Sequence, residues 1–391
     1  MSGMPRVALV LNTVGLGGVP QAALDLARHL PSGEFEPVVY VLKASDDDAA
    51  SRALRAARFV DAGIGVHHGA AGGGKLGAIA ALAEWLERER VDLVHTHSYR
   101  PNLYARLAAT LRRPHGLRVV AHYHNQYDDK WDADPSALVI ERGLAAQSDA
   151  LLACSASVRE HVAARLGVDP GRITVIENGV DAARFGGGDR AAARRRLGLG
   201  ADAFAVGLVG RVCEQKGQSD LVEAAIALAD RAPSLVVLMA GAREDRELQR
   251  RLGARAEQAG IGARVRWLGH VDDMAGLYAA LDLVVAPSRW EGFGLMLVEA
   301  MAAARPIVAT RVGAIADVVR EDETALLVPA RDPRALAAAI ERVMTDPALA
   351  ARLGAAGPAR ASGFSWARSG ARLAAVYRTA LAGAPGRGPG G

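Results

Sequence analysis

Short runs of valine, isoleucine and leucine alternate with helix-patterned segments along almost the whole chain, and this alternation limits the possible folds more than any other feature. In the first half the strand-like runs are RVALVL (6–11), EPVVYVL (36–42), VDLVHTH (91–97), LRVVAHY (117–123), DALLACS (149–155) and ITVIE (173–177). The second half repeats the scheme with FAVGLVG (204–210), SLVVLMAG (234–241), RVRWLG (264–269), LDLVVAP (281–287) and RPIVAT (305–310). Continuous apolar runs joined by helices are typical of parallel strands that are covered on both faces. We therefore expect an α/β protein built from two doubly wound domains.

The junction between the two halves contains three consecutive glycines, Gly186–Gly188, in the segment NGVDAARFGGGDR. Glycine has no side chain to pack, and it tolerates backbone angles that other residues avoid. We therefore predict a hinge there, with one domain over residues 1–185 and a second over residues 186–365. The Gly/Pro-rich tail, residues 383–391, is predicted to be disordered.

Composition excludes several classes of function. The net charge is only +4 over 391 residues, which is too mild to indicate nucleic-acid binding. Cys154 and Cys213 lie far apart, so neither a disulfide framework nor a Cys-rich metal site is expected, and a reducing compartment fits. No segment approaches the ~20 apolar residues of a membrane span, and the first apolar run is shorter than the core of a signal peptide. We therefore expect a cytoplasmic protein.

Peripheral contact with a membrane surface stays open because of one basic segment, RLAATLRRPHGLR (106–118). It places Arg106, Arg112, Arg113 and Arg118 among apolar residues, and such a segment can lie on anionic lipid. An ordinary surface helix of the first domain is the favoured interpretation.

The segment SRWEGFGLMLVEAMAAARP (288–306) begins where a strand ends and continues into a helix-forming run. Ligands of open parallel sheets bind outside the carboxyl ends of the strands, where a helix N-terminus offers free N–H groups to a phosphate. Glu291 and Glu299 stand eight residues apart, which in a helix is up to about 12 Å along the axis. That is too long for one acid/base pair, but it suits an extended ligand with hydroxyls at both ends and phosphates between. The competing interpretation is that Glu299 is simply an exposed helix residue.

A second strand-to-helix turn, GLVGRVCEQKG (207–217), contains Arg211 and Lys216. Two cations at such a turn can neutralise a diphosphate, although charged residues are common in loops. Two other glycine-rich segments fail the known nucleotide motifs. GLGGVPQ has Pro20 where a dinucleotide fingerprint needs glycine, and GAAGGGKL has Leu76 where a P-loop needs serine or threonine.

Histidines occur in pairs at the ends of two predicted strands, His95 with His97 and His122 with His124. Alternate residues of a strand share a face, so the pairs could supply a zinc site. No carboxylate is spaced to complete a known catalytic set. We therefore expect no metal, and instead one histidine that hydrogen-bonds a substrate hydroxyl.

Taken in order, these segments resemble the retaining GT-B glycosyltransferases of family four. SRWEGFGLMLVEAMAAARPIVAT resembles that family's two-glutamate block, GRVCEQKG its pyrophosphate-binding element and NTVGLGGVPQAALDLARHL its first loop. The segments VDLVHTHSYRPNLYARLAA, AHYHNQ, LLACSASVREH and VIENGVDAARF also match the running pattern of the family. The resemblance covers about residues 5 to 382, and it implies two Rossmann-like domains that face each other across a cleft.

The resemblance implies a role for each matching position. Arg211 and Lys216 would bind the donor pyrophosphate, and Glu299 the ribose hydroxyls. Glu291 would lie at the hydroxyls of the donor sugar, and His124 at the same sugar and its anomeric carbon. The other implied contacts are Phe293, Gly294 and Leu295 near sugar and phosphate, Gly17 and Gly18 near the phosphates and acceptor, and Gly269 with His270 around the base. The C-terminal helix, residues 366–382, would pack back on the first domain.

The implied activity is transfer of a hexose or N-acetylhexosamine from a nucleotide diphosphate sugar, with UDP favoured over GDP. The acceptor would be a hydroxyl of a glycan, a lipid-linked glycan or a small metabolite. Neither a metal nor another cofactor is expected, because Arg211, Lys216 and helix N-termini can stabilise the departing diphosphate. After the block, VGAIADVV (312–319) has Ala314 and Asp317 in place of the family's frequent Gly-Gly and Glu, which loosens the inference about the donor. Two alternatives stay open, a sugar-nucleotide epimerase on the same architecture and a non-catalytic sugar-nucleotide-binding protein.

Overall fold

The computed structural model of the chain describes residues 3–15, 17–42, 56–69, 73–111 and 116–383. The chain divides into two compact units, of which the first is Met1–Asn178 with Trp366–Gly391 and the second is Gly179–Ser365. Each unit is built on its own parallel sheet. The prediction of two doubly wound α/β domains is confirmed.

Among its described residues, the first unit contains a seven-stranded sheet in the order β3-β2-β1-β4-β5-β6-β7. Its strands are β1 (Arg6–Leu11), β2 (Glu36–Val41), β3 (Gly65–His68), β4 (Leu93–His97), β5 (Arg118–Tyr123), β6 (Ala150–Ala153) and β7 (Ile173–Val175). Its helices before the second unit are α1 (Gly18–Arg28), α2 (Gly74–Arg88), α3 (Tyr99–Thr110), α4 (Asp128–Trp131), α5 (Pro135–Gln147) and α6 (Ala156–Leu166), with a further helical segment at 56–60. The strand order reverses between β1 and β4, which makes the carboxyl ends of these strands the expected ligand-binding edge.

The second unit, all of whose residues are described, contains a six-stranded sheet in the order β10-β9-β8-β11-β12-β13. Its strands are β8 (Phe204–Val209), β9 (Leu235–Ala240), β10 (Val265–Gly269), β11 (Leu283–Ala286), β12 (Ile307–Thr310) and β13 (Leu326–Val328). Its α-helices are α7 (Ala182–Gly186), α8 (Arg190–Arg196), α9 (Gln218–Ala227), α10 (Arg246–Gln258), α11 (Met274–Ala280), α12 (Leu295–Ala302), α13 (Ile315–Val318), α14 (Pro333–Thr345) and α15 (Pro347–Ala361). Here the strand order reverses between β8 and β11.

The last helix, α16 (Trp366–Ala382), belongs to the first unit although it follows the second in the chain. The Tyr377 ring is buried and meets Phe35 edge-on, with the ring centroids 5.3 Å apart. Arg378 forms a forked pair with Glu34, its two nitrogens 2.8–2.9 Å from the carboxylate oxygens. An apolar anchor and a bidentate ion pair thus hold α16 on this unit.

The boundary between the units differs from the predicted one, because it follows Asn178 and not residue 185. The glycines predicted to form a hinge lie inside the second unit, where Gly186 ends α7. A Cβ on Gly188 would lie 2.7 Å from both the carbonyl oxygen of Ala275 and the Cβ of Ala279. Glycine is therefore required at 188 for close packing on α11, and its lack of a side chain does not indicate a hinge.

No helix among the described residues is long and apolar enough to cross a bilayer. The described residues of the basic segment 106–118 do not form the predicted surface helix, because Arg106, near the end of α3, is buried and paired with Glu141, and Arg118 begins β5. Arg118 pairs with Asp149 at 2.9 Å, and its side chain is mostly buried. Arg112 and Arg113 lie outside the described residues, as do residues 70–72 of GAAGGGKL and residues 384–391 of the tail. The two arginines that are described are therefore held by carboxylates and are not available to lipid.

Candidate functional site

The helices of the second unit begin in two different ways. Six of the nine α-helices in this fully described unit start at an aspartate whose side chain accepts an N-terminal N–H group; these are Asp181, Asp189, Asp245, Asp273, Asp332 and Asp346. The other three, α9, α12 and α13, start at Gly217, Gly294 and Ala314 without a side-chain cap. They follow β8, β11 and β12, which are neighbours in the sheet. In these three helices the N–H group that an aspartate would bind donates instead to the carbonyl oxygen of the residue before the helix, at 2.8–3.0 Å (Asp220 to Gly217, Leu297 to Gly294 and Asp317 to Ala314). Helix starts without a capping carboxylate keep their partial positive charge, and here they lie at the point where strand order reverses, which suits the binding of an anion.

Lys216 and Glu291, which belong to two separate sequence motifs, form an ion pair with Nζ and Oε2 2.5 Å apart. Lys216 ends the 3₁₀ turn Glu214–Lys216 after β8, and Glu291 lies in the turn after β11. Ser288 Oγ donates a hydrogen bond to Glu291 Oε2 at 3.3 Å. The Lys216 and Glu291 side chains are 15% and 10% exposed, so little water separates the two charges. This pair is the centre of the candidate site.

Arg211 lies beside this pair and is connected to it through Gln215. Its Nη2 donates to Gln215 Oε1 at 3.4 Å, and Gln215 Nε2 donates to the carbonyl oxygen of Trp290 at 3.1 Å. The guanidinium also pairs with Glu244, and the side chain remains 42% exposed. An anion arriving at the uncapped helices would therefore compete with Glu244 for Arg211.

Glu299 lies on α12, but Glu291 does not, because the helix begins only at Leu295. The predicted separation of up to about 12 Å between the two glutamates assumed a continuous helix and therefore does not apply. Glu299 is half-buried, and its Oε2 accepts a hydrogen bond of 2.8 Å from the Tyr278 hydroxyl. Burial, with the nearby charge of Glu299, raises the pKa of Tyr278 well above its usual range, so the hydroxyl keeps its proton and donates. Glu299 is thus a half-buried carboxylate oriented by a hydrogen bond, and not a freely exposed helix residue.

Two glycines allow the loops of this site to approach one another. A Cβ on Gly217, which has φ +69°, would overlap the carbonyl oxygen of Pro287 at the end of β11. A Cβ on Gly313, with φ +49°, would overlap the carbonyl oxygen of Glu291. The same Glu291 oxygen accepts a hydrogen bond of 3.0 Å from the Ala314 N–H group. The segment after β12 therefore fixes the backbone of Glu291, which gives VGAIADVV a structural role in the site.

The remaining predicted positions of the second unit lie at two places. Phe293 is buried, and its ring meets Phe364 edge-on at 5.6 Å, which anchors the turn that presents Gly294 and Leu295 at the start of α12. Gly269 ends β10, two strands away from β8, and its carbonyl oxygen accepts the Gly241 N–H group at 2.7 Å. His270 is exposed, with Nε2 2.8 Å from Asp272 Oδ1. The role of Gly269 and His270 at a base stays a prediction.

In the first unit, the predicted residues lie at the carboxyl ends of β1 and β5, on either side of β4. Gly17 precedes α1 without a side-chain cap, and Gly18 is the first residue of that helix. His124 directly follows β5, and its Nε2 lies 3.0 Å from Nδ1 of His97. Burial lowers the pKa of His124 to about 3. At neutral pH His124 is therefore an uncharged imidazole that can both donate and accept a hydrogen bond.

Sequence reasoning missed several residues of the second-unit site, namely Gln215, Ser288, Glu244 and Tyr278. Gln215 and Ser288 lie inside the two motifs, so their polar side chains at a ligand-binding edge are a signal that could have identified them. Tyr278 lies in no motif, and only the fold places its hydroxyl against Glu299. The same holds for Glu244, which follows β9 and reaches Arg211 from there.

Comparison with known proteins identifies relatives over most of the chain. The family described as Glycosyltransferase Family 4 matches residues 16–184, and Glycosyl transferases group 1 matches residues 189–360. A D-inositol 3-phosphate glycosyltransferase from Salinispora arenicola is 33% identical over 403 aligned positions, which cover 94% of this chain and 88% of the relative. D-inositol 3-phosphate glycosyltransferase 1 from Catenulispora acidiphila is 36% identical over 313 positions, which cover 76% and 74%.

The fold is shared with solved structures of the same architecture. Anabaena Alr3699/HepE, crystallised in complex with UDP-glucose, matches with a TM-score of 0.84 at 22% identity, covering 96% of this chain and 99% of the other. That likeness shows the GT-B fold. Since relatives above 30% identity are matched over most of their own length, this chain is a glycosyltransferase and belongs to glycosyltransferase family 4.

Proposed function

We propose that this protein transfers a hexose or N-acetylhexosamine from a UDP-sugar to an acceptor hydroxyl, with retention of the anomeric configuration. GDP-sugars are the second class of donor. The observation that supports this most is the Lys216–Glu291 pair after β8 and β11, where α9 and α12 begin without side-chain caps. Such a place combines a cation, two sets of helix N–H groups and a carboxylate, which are the groups that bind a diphosphate and a neighbouring hydroxyl.

Binding of the diphosphate would exchange hydrogen-bond partners within this cluster. Lys216 would turn from Glu291 to a phosphate oxygen, and Arg211 would turn from Glu244 in the same way. Glu291 would then be free to accept a hydrogen bond from a hydroxyl of the donor sugar. Before the donor binds, the pairs Lys216–Glu291 and Arg211–Glu244 would keep these side chains in position. Glu299 would bind the ribose hydroxyls, and its hydrogen bond from Tyr278 would orient the carboxylate.

Departure of the nucleotide diphosphate places negative charge on its terminal phosphate. Once the donor is bound, Lys216, Arg211 and the N-termini of α9 and α12 would already lie against the phosphates, and they would stabilise this charge with little further reorganisation. Because these groups can provide the positive charge, we propose that donor activation uses them and needs no metal or other cofactor.

The anomeric configuration would be retained because the acceptor hydroxyl attacks the anomeric carbon on the same face from which the diphosphate departs. The acceptor hydroxyl would give its proton to an oxygen of the leaving phosphate, so no protein nucleophile is required. His124 would hydrogen-bond a hydroxyl of the donor sugar as a neutral imidazole. Gly17 and Gly18, at the uncapped start of α1, would allow close approach of the acceptor and phosphates.

The relatives guide the choice of substrates. HepE was solved with UDP-glucose, and two relatives are named for D-inositol 3-phosphate. We therefore propose UDP-glucose and UDP-N-acetylglucosamine as first donors, and cyclitols with and without a phosphate as first acceptors. Glycans and lipid-linked glycans form the second group of acceptors.

The test combines each donor with each acceptor in buffer containing EDTA and detects products by mass spectrometry. The proton NMR coupling of the new anomeric proton, compared with that of the donor, gives the stereochemical outcome. Lys216→Met should abolish product, whereas Lys75→Met, at an exposed lysine of the first unit, should leave the rate unchanged. A new sugar nucleotide in donor-only reactions would indicate an epimerase, and tight UDP binding without turnover would indicate a binding protein. An inverted product would refute the proposed attack.

A further inference from the structure

Four histidines lie together in the interior of the first unit, and the proposed transfer reaction uses only one of them. His95 and His97 are alternate residues of β4, so their side chains share one face of the sheet. His122 is the partner of His97 in the parallel register of β5, which places it on the same face. His95, His97 and His122 are each 0% exposed. The fold thus gathers three fully buried imidazoles, with His124 beside them.

The rings are close enough to act on one ion. The His95 centroid lies 4.0 Å from that of His97 and 5.4 Å from that of His122, and the His97 and His122 centroids are 5.6 Å apart. One ring nitrogen from each of the three lies within 4.8 Å of the other two. Among the described residues this is the one group of three or more histidine, cysteine or acidic side chains that could hold a metal ion.

The hydrogen bonds of these rings are incomplete. His95 Nδ1 lies 2.6 Å from the Tyr377 hydroxyl, and His97 Nδ1 lies 3.0 Å from His124 Nε2. Within the described part of the chain, Nε2 of His95, Nε2 of His97 and both nitrogens of His122 have no hydrogen-bond partner. A buried polar atom without a partner is destabilising, and an ion is one of the few explanations for several such atoms at one place.

We propose that His95, His97 and His122 bind one divalent metal ion of the zinc class inside the first unit. Imidazole nitrogen is a preferred ligand of Zn²⁺, Co²⁺ and Ni²⁺, and three histidines with water as the fourth ligand form a known zinc geometry. Zinc bonds of about 2.0–2.1 Å need nitrogens about 3.3 Å apart, so the rings must approach by up to roughly 1.5 Å. Rotation about the broad terminal torsion of histidine can supply such a movement.

The charge state and the surrounding bonds suit this assignment. Burial lowers the pKa of His95 to about 3, and burial with the neighbouring imidazoles lowers the pKa values of His97 and His122 well below the usual range. The neutral imidazole that results is the form that ligates metals. Tyr377 occupies Nδ1 of His95 and so leaves Nε2 for the ion, which is the arrangement by which outer partners orient metal-bound histidines.

The ion would also fix the proton position on His124. With the metal on Nε2, His97 carries its proton on Nδ1 and donates it to His124 Nε2. His124 then carries its own proton on Nδ1. The ion is thus structural, because it orients a histidine without taking part in donor activation, which the second unit provides. The inference is independent of the sugar and acceptor that the enzyme uses.

The first measurement is the metal content of the full chain, purified without a histidine tag from medium supplemented with zinc or cobalt. Inductively coupled plasma mass spectrometry should find about one ion per chain after exhaustive desalting. The cobalt protein should show the intense visible bands of a four-coordinate ion. X-ray absorption of the zinc protein should show three imidazole nitrogens. The proposal would be overturned if the folded protein contained only trace metal and also bound none after unfolding and refolding in the presence of zinc.

Three variants identify the ligands. His122→Ala should lose the bound ion, whereas His29→Ala, which removes an exposed histidine of the same unit, should keep it. Tyr377→Phe deletes only a hydroxyl, so it should fold, and its metal affinity in competition with a chelator should fall by roughly 10–100-fold. Equal metal content in His122→Ala and the unchanged protein refutes the site. If His122→Ala does not fold, two other results together refute the site. These are an unaltered metal affinity in Tyr377→Phe and an X-ray absorption spectrum of the zinc protein without imidazole ligands.

Discussion

The ion pair between Lys216 and Glu291 allows folding and donor binding to be separated by experiment. Lys216→Met removes the cation and leaves the Glu291 carboxylate without it in a place where the two side chains are only 15% and 10% exposed. The double variant Lys216→Met/Glu291→Leu replaces both charges with apolar groups of similar size. We expect the single variant to be destabilised and the double variant to recover, while neither binds the donor.

The size of the effect follows from burial. Breaking a fully buried pair costs about 3–5 kcal/mol, whereas an exposed pair contributes about 0–1 kcal/mol. A pair this well covered should lie between these limits, so we expect Lys216→Met to lower the free energy of unfolding of the second unit by roughly 2–3 kcal/mol. In a unit of this size that corresponds to a melting temperature lower by about 4–12 °C. The double variant should lie within about 1 kcal/mol of the original, because apolar replacement of a buried pair is often neutral.

The assay is urea and thermal unfolding of the unchanged protein, of the single variants Lys216→Met and Glu291→Leu, and of the double variant. Calorimetric titration with UDP then measures donor binding by each protein. As a control, Arg250→Ala breaks the exposed pair of Arg250 with Glu247 and should leave the unfolding midpoint in urea unchanged, because solvent screens such a pair. The reasoning fails if Lys216→Met is as stable as the original protein. It also fails if the double variant regains stability and UDP affinity together, because the pair would then have no role in binding the donor.

Four further outcomes are expected. Glu299→Ala should raise the donor KM by about ten- to a hundredfold with little change in kcat, whereas Glu291→Ala should also lower kcat. If steady-state kinetics show the opposite pattern, the donor binds in the reverse orientation. Tyr278→Phe should raise the donor KM by less than Glu299→Ala does, because the carboxylate remains but is no longer held; an unchanged KM would show that the tyrosine does not orient it. Gly217→Ala should lower the free energy of unfolding by more than about 1 kcal/mol in urea, since the new methyl group meets Pro287, and an unshifted midpoint would contradict that close approach. UDP affinity by calorimetry should be the same with EDTA as with magnesium, and a marked magnesium requirement would contradict metal-free donor binding.

Eleven of the thirteen strands in the described part of the chain coincide with predicted runs, because such a strand is short, largely apolar and bounded by polar segments. The sequence analysis missed β3, which contains two histidines and is only partly buried, and the three-residue β13. The run SLVVLMAG, for example, contains β9 (Leu235–Ala240), every residue of which is buried. A buried parallel strand must be apolar on both faces, so its position can be recognised from local sequence. The turns after β8 and β11 are predictable for a related reason, because glycine and charge together at a strand end indicate a ligand-binding edge.

The errors concern interactions between residues that are distant in sequence. The basic character of the segment 106–118 predicts a surface position for Arg106, but Glu141, 35 residues away, pairs with it in the interior. The run of glycines predicts a hinge at Gly188, but the contact of this residue with Ala275 and Ala279 depends on how α11 packs. Local sequence shows that a residue is charged or small, and only the tertiary structure shows what lies against it.

One distinction between structural and functional helices is visible in the residue that precedes each helix. A capping aspartate stabilises a helix start by about 0.5–2 kcal/mol relative to alanine, whereas glycine at that position costs only a few tenths relative to the best caps. A carboxylate at the helix start would also repel a phosphate and occupy the same N–H groups. Aspartate therefore suits the helices that only build the unit, as before Arg246 and Pro333, and glycine suits those that we propose to receive the diphosphate, as before Gln218 and Leu295. In the second unit eight of the nine α-helices follow this division, α13 after Ala314 being the exception, and the two glycine starts coincide with the edge where Lys216 and Glu291 meet.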